Sequence, residues 1–217
     1  PSCNYTGMAQ MGDWVFTTCV EIRWLILRNN HLLAANIRQP DFRFQIIGDP
    51  RDLADPMDAI SVPNGLATSP DGALLIADYN LLADAGIARA TVTLPDPETF
   101  AQATAHGQTV LPQLTGLQRN WLGPEQGLST PNGIRVSGAH LYVTDGGSVK
   151  RFAFDAQGQI PGEGVTLWQG TLAVLDDLMP YCGGVAFTSF LAGRLHYVAA
   201  YTDPETGTET FEELYAT

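Results

Sequence analysis

The 217-residue chain is 45% hydrophobic and 16% charged, the balance of a chain that packs a core and not of a disordered one. Its 23 acidic side chains face 11 basic ones, a formal charge of −12, and Lys150 is the only lysine. With no basic patch to neutralise phosphates, nucleic-acid binding is excluded, and anionic membranes and highly anionic substrates are disfavoured. No apolar run is long enough for a membrane-spanning helix, since Trp24 to Leu27 is broken by Arg28. The partner expected is a neutral or cationic small molecule. Oligomeric state is not readable.

At the start of the chain, Cys3 and Cys19 bracket the sequon Asn4-Tyr5-Thr6. A Cys3–Cys19 disulfide with a glycan on Asn4 fits a protein that is secreted or lumenal; three reduced thiols, Cys182 included, with a chance sequon is the alternative. A chain opening on Pro-Ser-Cys fits one whose leader has been removed. From there, short runs of Val, Ile, Leu, Tyr, Phe and Thr alternate with Gly, Pro, Asn and Asp, which predicts an all-β fold. The one helix expected is Pro97 to Ala105.

An internal repeat organises these strands. Pro63-Asn64-Gly65-Leu66 leads through a turn to Leu74-Leu75-Ile76-Ala77-Asp78; Pro131-Asn132-Gly133-Ile134 leads to Leu141-Tyr142-Val143-Thr144-Asp145. Each aspartate is followed by a glycine-containing segment and a third strand. Fainter copies begin at Val20 and at Cys182-Gly183-Gly184. Repeated four-stranded antiparallel sheets predict a single β-propeller domain over 1–217, with blades near 20–48, 62–113, 131–170 and 180–216. A β-sandwich with coincidental Pro-Asn-Gly turns is the competing architecture. The stretches 48–61 and 104–130 fit no blade and read as long loops.

The blade motif, Pro63 to Ala67 with Ser69-Pro70-Asp71-Gly72 and Leu74 to Asp78, resembles that of SMP-30/gluconolactonase-like propellers. Asn132 to Val136 with His140 to Asp145 resembles the form in secreted fungal members, as does Asn30 to Phe44. The resemblance implies a propeller, typically of six blades, so that the four visible here leave segments of a full ring missing. It implies two activities: lactone hydrolysis with a divalent cation on the axis, and metal-free hetero-Diels–Alder cyclisation of the kind in tropolone–sesquiterpenoid biosynthesis.

For the first activity the resemblance implies ligands from strand starts, here Glu21, Asn64 and Asn132, holding calcium or zinc. The aspartate expected in the last blade is replaced by Gly183, and Asp176 and Asp177, which lie upstream of it, could substitute only through a loop rearrangement. For the second, no cofactor is needed. Asn64, Asn132 and Tyr181 would act on the substrate as the catalytic set, Glu21 and Cys182 would line the pocket, and Tyr79, His106 and Trp121 would stand in or beside covering loops. Amides offer a donor and an acceptor each, which suits orienting a polarised carbonyl. Against both stands a turn-making role for the two Asn-Gly pairs, and a third class, a propeller that binds without turnover. Asp78 and Asp145 read as turn caps, Cys182 as an inert thiol, and Ser129, Ser148 and Ser189 lack a nucleophile context.

Overall fold

The computed structural model describes residues 4–23, 26–48, 60–79, 85–171 and 174–216. Among the described residues, sixteen strands make four sheets of four antiparallel strands. The first sheet runs β1 (Asn4–Met11), β2 (Trp14–Arg23), β3 (Ile26–Asn36) and β4 (Gln45–Gly48). The second runs β5 (Pro63–Thr68), β6 (Leu74–Asp78), β7 (Gly86–Thr93) and β8 (Gln113–Leu122). The third runs β9 (Pro131–Ser137), β10 (His140–Asp145), β11 (Ser148–Ala153) and β12 (Val165–Gln169). The fourth runs β13 (Leu175–Tyr181), β14 (Gly184–Ser189), β15 (Arg194–Thr202) and β16 (Glu209–Ala216).

The first strands of successive sheets pack side by side, β1 on β5, β5 on β9 and β9 on β13, so these are the innermost strands of consecutive propeller blades. Among the described residues β13 and β1 do not pack extensively on each other, and the four blades form an open arc. No described helix is long and apolar enough to cross a membrane.

The cores lie between blades. One cluster joins Phe16 and Leu32 of blade 1 to Leu66 and Ile76 of blade 2. A second joins Leu75 and Ile87 to Ile134 and Val143. A third joins Val149 and Leu167 to Leu178, Val185 and Phe187. This explains why β6 reads as an unbroken buried run, Leu-Leu-Ile-Ala-Asp: both of its faces meet a neighbouring blade.

All four innermost strands carry the same irregularity near their start. Tyr5 pairs with Cys19 and Met8 with Thr17; Pro63 with Asp78 and Leu66 with Ile76; Pro131 with Asp145 and Ile134 with Val143; Leu175 with Ser189 and Leu178 with Phe187. Three steps on one strand match two on its partner, a β-bulge at one register throughout. This equates Thr6, Asn64, Asn132 and Asp176, and, one residue on, Gly7, Gly65, Gly133 and Asp177. The Asn-Gly pairs therefore sit inside strands and make no turn. Gly65 is required by contact: a Cβ there would strike the carbonyl of Asn132, just as one on Gly7 would strike that of Asn64.

Four expectations are corrected by this arrangement. Blade 1 begins at Asn4, because 4–11 supplies the innermost strand. Blade 2 extends to Leu122, because 113–122 is its outermost strand; only the end of the helix α1 (Pro97–Ala105), its exit and a single 3-10 turn at Pro124–Gln126 remain of the loop expected over 104–130. The helix itself falls where expected, started by Asp96, whose carboxylate accepts from the Thr99 N–H at 3.0 Å, and by Pro97 in its first turn. Blade 4 begins at Leu175, so Cys182-Gly183 starts no strand. Both residues have positive φ, 47° and 76°, and form the two-residue hairpin turn between β13 and β14. Of the other predicted loop, 49–59 lies outside the described residues.

Candidate functional site

At the end of the arc where the innermost strands begin, the equated positions form a row. Asn64 donates from Nδ2 to Asn132 Oδ1, and Asn132 donates from its own Nδ2 to the Leu175 carbonyl at 2.9 Å. Thr6 donates to the Pro63 carbonyl at 2.9 Å. The side chains of Thr6, Asn64 and Asn132 thus each reach the next blade. Thr144 confirms the alignment: its hydroxyl donates to the Asp176 carbonyl at 2.7 Å, as that of Thr18 does to the Asn64 carbonyl at 3.4 Å. Asn132 is buried and Asn64 half-buried, whereas Asp176 is exposed. Asn64 retains one amide hydrogen, and among the described residues its Oδ1 has no protein partner.

The row is held by two buried carboxylates at the ends of the second strands. Asp145 accepts from the N–H groups of Ser129 at 2.8 Å and Thr130 at 2.6 Å and pairs with Lys150 at 2.5 Å. Asp78 accepts from the N–H groups of Ser61 at 3.1 Å and Val62 at 2.8 Å and pairs with Arg119 at 3.3 Å. Burial pushes the Asp78 carboxyl above the usual carboxylate range, against the pull of those N–H groups and of Arg119. Each carboxylate ties down the two residues that lead into a Pro-Asn-Gly strand. Their capping role, expected from the sequence, is what the geometry shows.

The remaining sequence-predicted residues are dispersed. Tyr79 stays beside the row, its N–H donating to the Val62 carbonyl at 2.9 Å. Glu21 lies on β2 across from Arg28, and its side chain lies outside the described residues. Tyr181 and Cys182 lie at the opposite end of β13 from Asp176, so neither reaches the mouth of the row. They line a separate cleft of about 270 Å³ with Arg151, Glu209 and Phe211. There the Tyr181 and Cys182 carbonyls accept from the Tyr197 hydroxyl at 3.2 and 3.0 Å, and the free thiol of Cys182 is exposed.

His106 is the exposed cap residue at the C-terminal end of α1. The helix joins β7 to β8 at Thr93 and Gln113, the ends of those strands away from the row. Trp121 stacks on Phe154 of blade 3 at 6.4 Å and donates to Gln159 Oε1 at 3.0 Å, a contact between blades and not a cover. Asn4 is exposed at the start of β1, and the hydroxyl of Thr6, the third sequon residue, is engaged internally. Cys19 is fully buried, and Cys3 lies outside the described residues.

One site residue was missed. Asp176 stands in register with both asparagines and needs no loop rearrangement to do so. The signal was its place just ahead of the Leu178 core position, obscured because Leu175-Asp176-Asp177-Leu178 lacks the Pro-Asn-Gly letters.

No protein-family model matches the chain, and no curated protein matches it. Solved structures do. A structure titled as a nidogen/laminin complex is 14% identical over 100% of this chain and 80% of its own, with a TM-score of 0.48. An auxiliary nutrient binding protein from Bacteroides thetaiotaomicron is 10% identical over 94% of this chain and 39% of its own, with a TM-score of 0.50. A glutaminyl cyclase from Myxococcus xanthus is 10% identical over 98% of this chain and 86% of its own, with a TM-score of 0.47. At such identities the likeness is one of fold, and the fold is a β-propeller.

Proposed function

We propose that the chain is a secreted small-molecule enzyme working at the axial end of its blades, on a neutral, oxygen-bearing substrate, by metal-independent cyclisation or cycloaddition of the hetero-Diels–Alder type. The observation that carries this is the placement of Asn64, Asn132 and Asp176 at one register on three adjacent strands. Asn132 is fixed by bonds at both ends of its amide, and it fixes Asn64 in turn. Asn64 is then a pre-oriented donor and acceptor for a ligand. A cycloaddition transfers no proton and asks for alignment of two reacting parts, which in favourable cases lowers a barrier by roughly 7–11 kcal/mol. A fixed N–H aimed at a carbonyl gaining charge adds to this.

A calcium ion takes six to eight oxygens. One lone pair of the Asn132 oxygen is engaged by Asn64, and among the described residues no group of three His, Cys, Asp or Glu is placed to hold a metal. The described donors alone do not fit a resident calcium or zinc ion. A second reading, lactone hydrolysis, is favoured by Asp176, an exposed carboxylate beside the two amides that would serve as general base toward water.

The test is to incubate purified protein with an ortho-quinone methide generated in situ and an electron-rich alkene, and separately with sugar lactones, each with and without a chelator. Adduct formation is expected to be accelerated, insensitive to chelator, and reduced roughly 100-fold in Asn64→Ala, the size of one lost donor at a developing charge. Lactone cleavage abolished by Asp176→Asn supports the second reading. Binding of either probe without consumption leaves a non-catalytic propeller, and unchanged turnover in Asn64→Ala removes the row from the site.

A further inference from the structure

The ends of blades 1 and 2 away from the row frame a cavity that the blade repeat does not fill. On blade 1, Met11 and Trp14 close the β1–β2 hairpin, and Trp14 lies directly opposite Asn36 of β3. Such directly opposed residues put their side chains on one face, with Cβ atoms about 5 Å apart. On blade 2, the link from β7 to β8 brings α1 beside them. Phe100 meets Trp14 edge-on at 5.3 Å, and Leu94 packs on the same core. Between the hairpin and the helix opens a cavity of about 740 Å³, the size of a small-molecule pocket. Both of its walls come from neighbouring blades of this chain.

The helix wall is mostly apolar. Pro97, Ala101, Thr104 and Ala105 fall at i, i+4, i+7 and i+8, one stripe of α1, and all four line the cavity. The two alanines are too small to fill the space in front of them. Pro95 and Pro97 fix their own φ on either side of the Asp96 cap, so this wall stands before a ligand arrives. The opposite wall carries two hydrogen-bond donors with nothing to bond. Asn36 is 2% exposed; its Oδ1 accepts from the Arg38 N–H at 2.8 Å, and among the described residues its Nδ2 has no partner. Trp14 is 5% exposed, and among the described residues its Nε1–H has none either. Neither nitrogen is sealed in protein, and the cavity is the space that both residues line. Buried donors are normally paired, so these call for an acceptor. At the rim Asp13 pairs with Arg38 at 3.2 Å, and the two charges balance.

We propose that this cavity is a second binding site, for a neutral, flat, ring-containing molecule that carries an acceptor oxygen such as a carbonyl. The rings lie between the α1 stripe and the Trp14–Phe100 pair, where aromatic faces supply the contact. The oxygen accepts from Asn36 Nδ2 and Trp14 Nε1, one bond to each lone pair. The balanced pair at the rim asks for no ionic group on the ligand. The site is separate from the row: Tyr5 is level with the row, and Met11 lies six residues further along β1, roughly 20 Å of strand. It stands whatever the reaction at the row.

The test is a titration of coumarin, a neutral fused-ring carbonyl compound, into ¹⁵N-labelled protein, followed through the indole N–H signals of its 4 tryptophans. Trp14→Phe assigns the Trp14 signal, which is expected to shift saturably as coumarin binds. Naphthalene, two fused rings without an acceptor oxygen, is expected to bind more weakly. Asn36→Asp keeps the acceptor for the Arg38 N–H and removes the donor; it is expected to weaken coumarin binding about 10-fold, the size of one hydrogen bond. Ala101→Trp, on the exposed surface of α1, fills the space and is expected to abolish binding with an unchanged circular dichroism spectrum. It leaves the hairpin untouched, so the site is tested even if Asn36→Asp fails to fold. A Trp14 signal that does not move, a coumarin affinity that either folded variant leaves unchanged, or naphthalene bound as tightly as coumarin, overturns the proposal.

Discussion

Cys182 carries the clearest local cost in the chain. It sits at φ 47° in a two-residue hairpin, a left-handed conformation that a side chain with a Cβ adopts at a cost of about 1–2 kcal/mol. Its thiol is exposed and in no disulfide, and it meets the exposed Tyr181 hydroxyl, so little burial offsets that cost. Cys182→Gly is expected to raise stability by about 1 kcal/mol, which for a domain of this size is a rise of roughly 2–4 °C in Tm by calorimetry. A fall in Tm would show that the contact between the thiol and the Tyr181 hydroxyl outweighs the backbone strain. Turn chemistry is what misled the sequence reading here. Cys182-Gly183-Gly184 looks like a strand start by its small residues, yet positive φ at two successive positions serves a primed turn. The Asn-Gly pairs at 64–65 and 132–133 show the reverse: letters that usually make turns lie in strands, because the glycine is needed for backbone approach.

At the scale of the element, the four strand starts differ in how they are tied. Blades 2 and 3 use the buried carboxylates of Asp78 and Asp145 to hold the residues one and two places ahead of the innermost strand. In blade 1 the register of those aspartates belongs to Cys19, which pairs with Tyr5. Cys3 lies two residues ahead of Tyr5, the offset of Ser61 from Pro63 and of Ser129 from Pro131. A Cys3–Cys19 bond would therefore replace the carboxylate clamp with a covalent one, closing a loop of the size that contributes about 3 kcal/mol. Intact mass under non-reducing conditions is expected to be two hydrogens below the fully reduced value, and reduction is expected to lower Tm; a mass with three free thiols defeats the idea. The second strands were legible from their Leu-to-Asp runs. The first strands of blades 1 and 4 were not, since Asn4–Met11 and Leu175–Tyr181 mix exposed and buried positions and lack the Pro-Asn-Gly letters. β8 was hidden by its polar composition, Gln-Leu-Thr-Gly-Leu-Gln-Arg-Asn, which reflects an outermost strand largely open to solvent.

At the scale of the molecule, charge couples the blades to pH. Arg151 on β11 forms a two-pronged pair with Glu209 on β16, at 2.7 and 2.5 Å, and its guanidinium lies over Phe211 at 5.6 Å. Hydrogen bonding from Arg151, opposed by partial burial, holds the Glu209 carboxyl below its ordinary 4.5. A carboxyl depressed in the folded state contributes stability above its unfolded pKa and loses it as pH falls through the folded value. The Tm gap between wild type and Glu209→Gln is therefore expected to be largest near neutral pH. It should close as pH falls from about 4.5 downward, followed by thermal denaturation across that window. A gap that is constant with pH would assign the loss to packing on Phe211. The all-β class, the repeat and the two strongest blades were readable because burial and register recur along the chain. The row at the axis was half readable: two of its polar residues repeat as letters, and Asp176 repeats only as a position.

The placement of the apolar clusters has a consequence for how the protein holds together. Each cluster is mortar between two neighbours, so no blade owns an interior that it could keep alone. Blades 2 and 3 are gripped from both sides, while blades 1 and 4 are gripped from one. Among the described residues, loosening should then begin in blades 1 and 4 and travel inward to blades 2 and 3.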